Sequence, residues 1–327
     1  MPGFPSVKVL LRDAARRART EVDWARSRRG SADVAVFHEF HSPPYGGGNQ
    51  FLLALVGRMQ AEGLAVEVNR VSAGTPACLY NSFNFDFERL RRFARSDVRM
   101  VHRVDGPIGV YRGFDDGTDR RIARINELAD ATVFQSRYSL DKHRELGFEL
   151  SDPVVIPNTV DPAIFHPPAE RLPSARLRVI TTSWSANPRK GGEVLEWLDR
   201  NLDFETHEVT FAGNTDRGFE HVRVVPALAS EPLADLLRMH DVFLAPSHDD
   251  PCSNALLEGL ACGLPAAFRR SGGHPELVGE GGLGFDNATE LPDVLARLRD
   301  ELEERRAAIH VPPLQDVADR YLEVLRA

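Results

Sequence analysis

The most constraining stretch spans 241–285. It opens with the apolar run Val242, Phe243, Leu244 and Ala245, breaks at Pro246 and Ser247, and presents two adjacent acids, Asp249 and Asp250. Four apolar residues bounded by turn formers read as a strand buried in a parallel sheet. Good helix formers follow over 255–262, with Asn254 as the expected cap and Gly263 and Pro265 as the stop. A short apolar strand then leads into Ser271-Gly272-Gly273-His274-Pro275-Glu276. A strand that hands the chain to a loop, with a helix starting directly after it, is the unit of a doubly wound α/β sheet. Such sheets bind ligands beside the carboxyl ends of their strands. The leftover N–H groups and positive dipole end of such a helix suit a phosphate.

The chain has 327 residues, enough for two domains of ordinary size. A net charge of −8 argues against nucleic acid as the main partner. Cys78, Cys252 and Cys262 are scattered, with no CxxC spacing. That fits a reducing compartment and makes neither a disulfide framework nor a zinc site. No apolar run is long enough to span a bilayer, and no signal-peptide core is visible. A cytoplasmic chain is the expectation. Asp115-Asp116 is not a DxD motif, no residues cluster at metal-ligand spacing, and no metal is expected.

Residues 5–30 carry eight Lys or Arg against three acids, with Val7, Leu11, Ala14, Ala18 and Val22 at helical spacing. Two readings stand: a basic amphipathic helix lying on an anionic membrane surface, or a solvated helix packed on the first domain. A strand over 32–37, the run Gly46-Gly47-Gly48, a helix over 50–62 and a strand over 66–71 form a β–loop–α–β unit in which glycine lets the backbone approach a ligand. Strands are expected at 77–83, 99–104 and 131–134, with helices at 87–93, 118–128 and 140–146. Pro167, Pro168 and Pro173 mark a linker. Beyond it come strands at 178–182, 208–212 and 222–225, and helices at 193–201, 232–239, 289–306 and 315–325. The division is a basic segment 1–30, Rossmann-like domains 31–167 and 168–310, and a last helix 311–327.

The string Pro246-Ser247-x2-Asp250-x7-Glu258-x3-Cys262-Gly263-Leu264-Pro265, closed by Gly272-Gly273-x-Pro275-Glu276, resembles the nucleotide-sugar site of retaining GT-B glycosyltransferases, family 4 in particular. Asp250 stands where that family usually has Glu. Ile156-Pro157-Asn158-Thr159-Val160-Asp161, followed by Phe165 and Pro167, resembles the family's string at the end of the first domain. Lys190-Gly191 is similar to its phosphate-binding pair, although Ser185 occupies the position of a family Arg. The resemblance spans roughly 33–326.

What the resemblance implies is a GT-B fold, two Rossmann-like domains facing a cleft. The implied reaction moves a sugar from a nucleotide-sugar to a hydroxyl acceptor, with retention and without metal or other cofactor. Lys190, Arg189, Ser253, Asn254 and Ala255 would hold the diphosphate, Glu258 the ribose and Asp250 the sugar hydroxyls. His102, with Asp105 nearby, would stand at the reaction centre, Gly46, Gly47 and Gly48 would approach sugar and phosphate, and Pro226 would meet the base. The implied partners are a nucleotide-sugar, a glycan, lipid-linked or small-molecule acceptor, and an anionic membrane surface if residues 5–30 dock on one. Two other classes stay open: a GT-B epimerase or phosphorylase, and a retired glycosyltransferase serving as a binding subunit.

Overall fold

Runs such as Val34–Phe37 and Val242–Ala245 are buried at every position. Only a parallel strand covered by helices on both faces buries alternate side chains in this way. A computed structural model of the protein describes residues 30–42, 46–184 and 187–327. Ser185 and, apart from Gly30, the basic segment lie outside these described residues.

The first sheet contains β1 (Val34–Phe37), β2 (Val66–Val68), β3 (Ala77–Asn81), β4 (Arg99–Val104), β5 (Ala131–Phe134) and β6 (Pro153–Val155). Their order is β2-β1-β3-β4-β5-β6, and every pairing is parallel. Its helices are α1 (Gly47–Ala61), α2 (Phe87–Phe93), α3 (Ile108–Arg112), α4 (Thr118–Asn126) and α5 (Arg137–Glu145). The second sheet contains β7 (Leu177–Ser183), β8 (His207–Gly213), β9 (Arg223–Val225), β10 (Val242–Ala245), β11 (Ala266–Arg269) and β12 (Gly282–Phe285). Their order is β12-β11-β10-β7-β8-β9, again parallel throughout. Its helices are α6 (Gly192–Asn201), α7 (Ser230–Arg238), α8 (Asn254–Ala261), α9 (His274–Val278), α10 (Leu291–Asp300) and α11 (Leu302–Ala307).

The last helix, α12 (Leu314–Arg326), buries Leu314, Val317, Ala318, Tyr321, Leu322 and Leu325, one stripe at helical spacing. That stripe joins Phe51, Leu55 and Met59 of α1 and Val101 of β4 in the core of the first domain. The chain therefore ends on the domain in which its first strand lies.

Three local expectations are corrected. Gly47 and Gly48 belong to the first turn of α1, with Gly46 (φ 31°) as the cap residue, so the glycine run starts a helix. Ser253 caps α8 by accepting the Leu256 N–H at 3.3 Å, and Asn254 is the first helical residue. The helix expected over 289–306 turns at Glu301 (φ −97°, ψ 14°) and continues as α11.

Candidate functional site

In each sheet the strand order reverses direction once, between β1 and β3 and between β7 and β10. The carboxyl ends of strands at such switch points flank a crevice that helices leave open. The two crevices face each other here. Between them lies a cavity of about 370 Å³ whose lining includes His38, Asp105, Tyr111, Lys190, Asp250 and Asn254. It shares Gly46, Gly47, Asn254 and Ala255 with a recess of about 110 Å³ that runs in toward Gly213, Leu228, Leu233 and Glu258. Two larger hollows, of about 940 and 1140 Å³, lie against the stretch 159–167 and against α3 and α4. Neither brings Lys190 and Asp250 together, as the smaller cavity does.

On the second-domain side, β7 ends at Ser183 and the chain re-enters in a 3-10 turn, Pro188–Lys190. Lys190 Nζ donates to Asp250 Oδ2 at 2.7 Å and lies 5.0 Å from the centre of the Tyr111 ring. Burial pulls the Lys190 pKa down, but the Asp250 charge outweighs it, and the ammonium is held above its ordinary range. Burial likewise opposes ionisation of Asp250, yet Lys190 and the Cys252 N–H hold its carboxyl below the usual carboxylate range. Gly272 (φ 65°) backs this acid: a Cβ there would fall 2.3 Å from the Asp250 carbonyl oxygen. The next residue, Gly273, donates its N–H to that oxygen at 2.9 Å.

Glu258 projects from the second turn of α8. Burial alone pushes its pKa up to about 8, and no hydrogen bond or ion pair among the described residues engages its carboxyl. A nearly buried acid that the protein leaves without a partner is what a ligand hydroxyl would satisfy. Gly47 of α1 lies so close to Asn254 that a Cβ would meet the Asn254 side chain at 2.5 Å. Glycine there lets the two domains close on each other.

The cleft is also bridged away from the linker. Glu276 accepts the Arg137 and Tyr138 N–H groups of α5 at 2.8 and 2.7 Å, and the Tyr138 hydroxyl donates to Asp249 at 2.8 Å. Asn187 donates to the Tyr111 carbonyl at 3.2 Å.

Lys190, Asp250, Ser253, Asn254, Ala255 and the glycines Gly46, Gly47 and Gly48 all line the central cavity. Three other sequence candidates sit elsewhere. His102 is fully buried within β4, stacked 4.6 Å from the Tyr80 ring, with its nitrogens against Asn126 Oδ1 at 2.8 Å and the Ser82 carbonyl at 3.0 Å. It does not line the cleft. The strand carries it inside the sheet, and Asp105, just past the end of β4, reaches the cavity. Arg189 pairs with Asp249 and borders the hollow beside α3, not the central cavity. Pro226 lies outside the recess, which is walled by Ala227 and Leu228 one and two residues further on.

Two residues escaped the sequence reading, His38 and Arg103. His38 directly follows the buried run of β1, and a polar residue at the carboxyl end of a switch-point strand is a signal that could have found it. Nothing local marks Arg103 as buried.

Comparison with known proteins adds three findings. Residues 198–301 match the family model described as "Glycosyl transferases group 1". The curated D-inositol 3-phosphate glycosyltransferase of Streptosporangium roseum is 40% identical over 86 residues, 26% of this chain and 20% of that protein. The match thus spans only about a fifth of the curated relative's length. Among solved structures, the sucrose-phosphate synthase from Thermosynechococcus elongatus superposes with a TM-score of 0.71 at 16% identity, over 91% of this chain and 98% of that one. The catalytic domain of starch synthase IV from Arabidopsis thaliana, bound to ADP and acarbose, gives 0.67 at 10% identity over 91% and 99%. Anabaena Alr3699/HepE in complex with UDP and glucose gives 0.62 at 15% identity over 90% and 96%. At these identities the likeness is one of fold, and the fold is GT-B, two Rossmann-like domains across a cleft.

Proposed function

We propose that this chain is a glycosyltransferase of the GT-B type, moving a sugar from a nucleoside diphosphate donor to a hydroxyl acceptor with retention of anomeric configuration and without a metal ion. One observation carries the reading. At the mouth of α8 the charged Lys190 is held by Asp250, and one turn into the same helix Glu258 is buried without a partner among the described residues. A cation and a helix start separated by one turn from an unengaged acid suit a diphosphate joined to a ribose. The match to group 1 glycosyl transferases over 198–301 and the nucleotide complexes of the structural neighbours support it.

In this reading Lys190 and the first N–H groups of α8 take the diphosphate charge that grows as the bond from the anomeric carbon to the phosphate oxygen breaks. The acceptor oxygen forms its bond on the same face, and its proton passes to the departing diphosphate oxygen. Glu258 holds the ribose hydroxyls. Asp250 reaches the donor sugar while still paired with Lys190, so donor binding and cation placement are set together. The Glu276 and Tyr138 bridges hold the cleft shut around the reactants, excluding water.

The test is incubation with UDP-, ADP- and GDP-sugars and an acceptor panel in the presence of a chelator, reading the anomeric configuration of the product by proton NMR. A product with the donor's configuration is expected. An inverted product, or turnover that needs added divalent metal, contradicts the reading.

A further inference from the structure

The first-domain wall of the cleft holds a chain of hydrogen bonds whose polarity is fixed. Arg103 is fully buried, 5.0 Å from the centre of the Phe51 ring. Its guanidinium donates to Asp105 at 2.7 Å, to Asn158 at 2.9 Å and to the Asn81 side-chain oxygen. A guanidinium can only donate, so Asn81 must turn its oxygen toward Arg103 and its amide nitrogen toward His38. That nitrogen lies 3.3 Å from His38 Nδ1. An amide nitrogen also only donates, so Nδ1 accepts and the ring hydrogen sits on Nε2.

His38 is 4% exposed and lines the cavity, and among the described residues its Nε2 makes no hydrogen bond of ordinary geometry. Its neighbour Asn49, whose oxygen accepts the His41 N–H at 3.0 Å, lies near enough to lift the ring's pKa slightly but makes no hydrogen bond of ordinary geometry to Nε2. Burial, against the pull of Asp105, holds the ring's pKa at about 4, so the imidazole is neutral at pH 7. A buried N–H left unmet is costly, and the residue that carries it lines the same cavity as Asp105. Among the described residues, the first-domain charges lining that cavity are the acids Glu39 and Asp105, with no Lys or Arg.

Building on the glycosyl-transfer reading, we infer that His38 and Asp105, held by Arg103, form the acceptor subsite, and that the acceptor group they take is an uncharged polyol. A sugar hydroxyl both donates and accepts: Asp105 receives its hydrogen and His38 Nε2–H meets an oxygen. A phosphate ester on this first-domain wall would face two carboxylates and no Lys or Arg, with Lys190 across the cavity already paired to Asp250. Arg103 is a positioning residue, since it sets the Asp105 rotamer and, through Asn81, the His38 tautomer. Asn158 extends the chain to Asn254 at 3.1 Å, tying the subsite to the start of α8.

The experiment uses the full chain saturated with whichever of UDP, ADP and GDP stabilises it. Glycerol, inositol and methyl glucoside are compared with glycerol phosphate, inositol phosphate and glucose phosphate by saturation-transfer NMR. The uncharged set should bind more tightly than the phosphates. His38→Phe and Asp105→Asn should each weaken it about tenfold while leaving nucleoside diphosphate affinity within about twofold. His38→Gln, which keeps an N–H, should recover part of the loss. Tighter binding of the phosphates, binding of neither set, or equal loss of diphosphate affinity in both variants overturns the inference. If no nucleoside diphosphate binds the wild type, the transfer reading itself has failed, and this inference falls with it.

Discussion

Lys190 Nζ sits 2.7 Å from Asp250 Oδ2 in its own domain and 5.0 Å from the centre of the Tyr111 ring in the other. The ammonium is therefore fixed at the meeting point of the two domains, charged and aimed into the cleft. Breaking a largely buried pair from one side leaves the other charge without compensation, at a cost of roughly 3–5 kcal/mol. Lys190→Met should lower the melting temperature, and adding Asp250→Asn to it should recover much of that loss. Chemical denaturation of the wild type and both variants checks this, and an unchanged midpoint in Lys190→Met speaks against a structural pair.

Glu258 predicts a proton release. Its folded pKa is about 8, so at pH 7 the empty site is mostly protonated. Ribose hydroxyls donating to the carboxylate would favour the ionised form. Nucleoside diphosphate binding at pH 7 should then release up to one proton, visible as a dependence of the calorimetric heat on buffer ionisation enthalpy. The raised pKa has a stability counterpart. The folded state holds a proton that the unfolded chain has lost once pH exceeds about 4.5, so stability falls as pH rises toward 8. Glu258→Gln should remove that decline, worth roughly 1–4 kcal/mol.

The bridge between α5 and the second domain should govern closure. Tyr138→Phe removes the hydroxyl that donates to Asp249, and Glu276→Gln weakens the acceptor for two α5 N–H groups. Each hydrogen bond is worth about 1 kcal/mol. Small-angle scattering should show a larger radius of gyration for the double variant without ligand. Faster hydrogen exchange at 137–139 than in wild type is the local readout, and identical exchange would count against the bridge.

Two of the buried histidines steepen the acid limb most clearly. His38 and His102 both have pKa values near 4, lowered chiefly by burial. Between about pH 6.5 and 4 the unfolded chain takes up protons that the folded one refuses, so stability drops as pH falls through that window. The slope is about 1.4 kcal/mol per pH unit per fully buried histidine. His38→Gln should reduce it by up to that amount in denaturant titrations at several pH values. An unchanged slope would mean that His38 titrates alike in both states.

The second-domain site was legible because its signals are local. Val242–Ala245 is a buried strand by composition, and the acids, cap and glycine stop follow within one strand–helix unit. His102 and Asp105 show where that legibility ends. They lie three residues apart, and whether a side chain meets the core or the cleft depends on β4 ending at Val104, an end that periodicity cannot place. Pro226 fails for the same reason by one or two residues. Ser253, and not Asn254, caps α8 because either side chain could serve and packing against Gly47 claims the asparagine. Arg103 was out of reach for another reason, and His38 was marked only by its place at the end of β1. Their roles depend on Asn81 and Asn158, far apart in sequence, and an arginine on a strand reads as exposed until its partners are seen.

On the proposed reading, the cleft binds a nucleoside diphosphate through Lys190, the start of α8 and Glu258. Calorimetric titration of the full chain with UDP, ADP and GDP in a chelator, repeated on Glu258→Gln and Asp250→Asn, tests it most directly. At least one diphosphate should bind the wild type without metal. Glu258→Gln should weaken it roughly 10- to 150-fold, the range of one charge-assisted hydrogen bond. Asp250→Asn should weaken the free diphosphate less than Glu258→Gln does, because the hydroxyls assigned to it belong to the donor sugar. Binding by wild type that disappears with the chelator, or equal affinity in wild type and Glu258→Gln, would contradict the account.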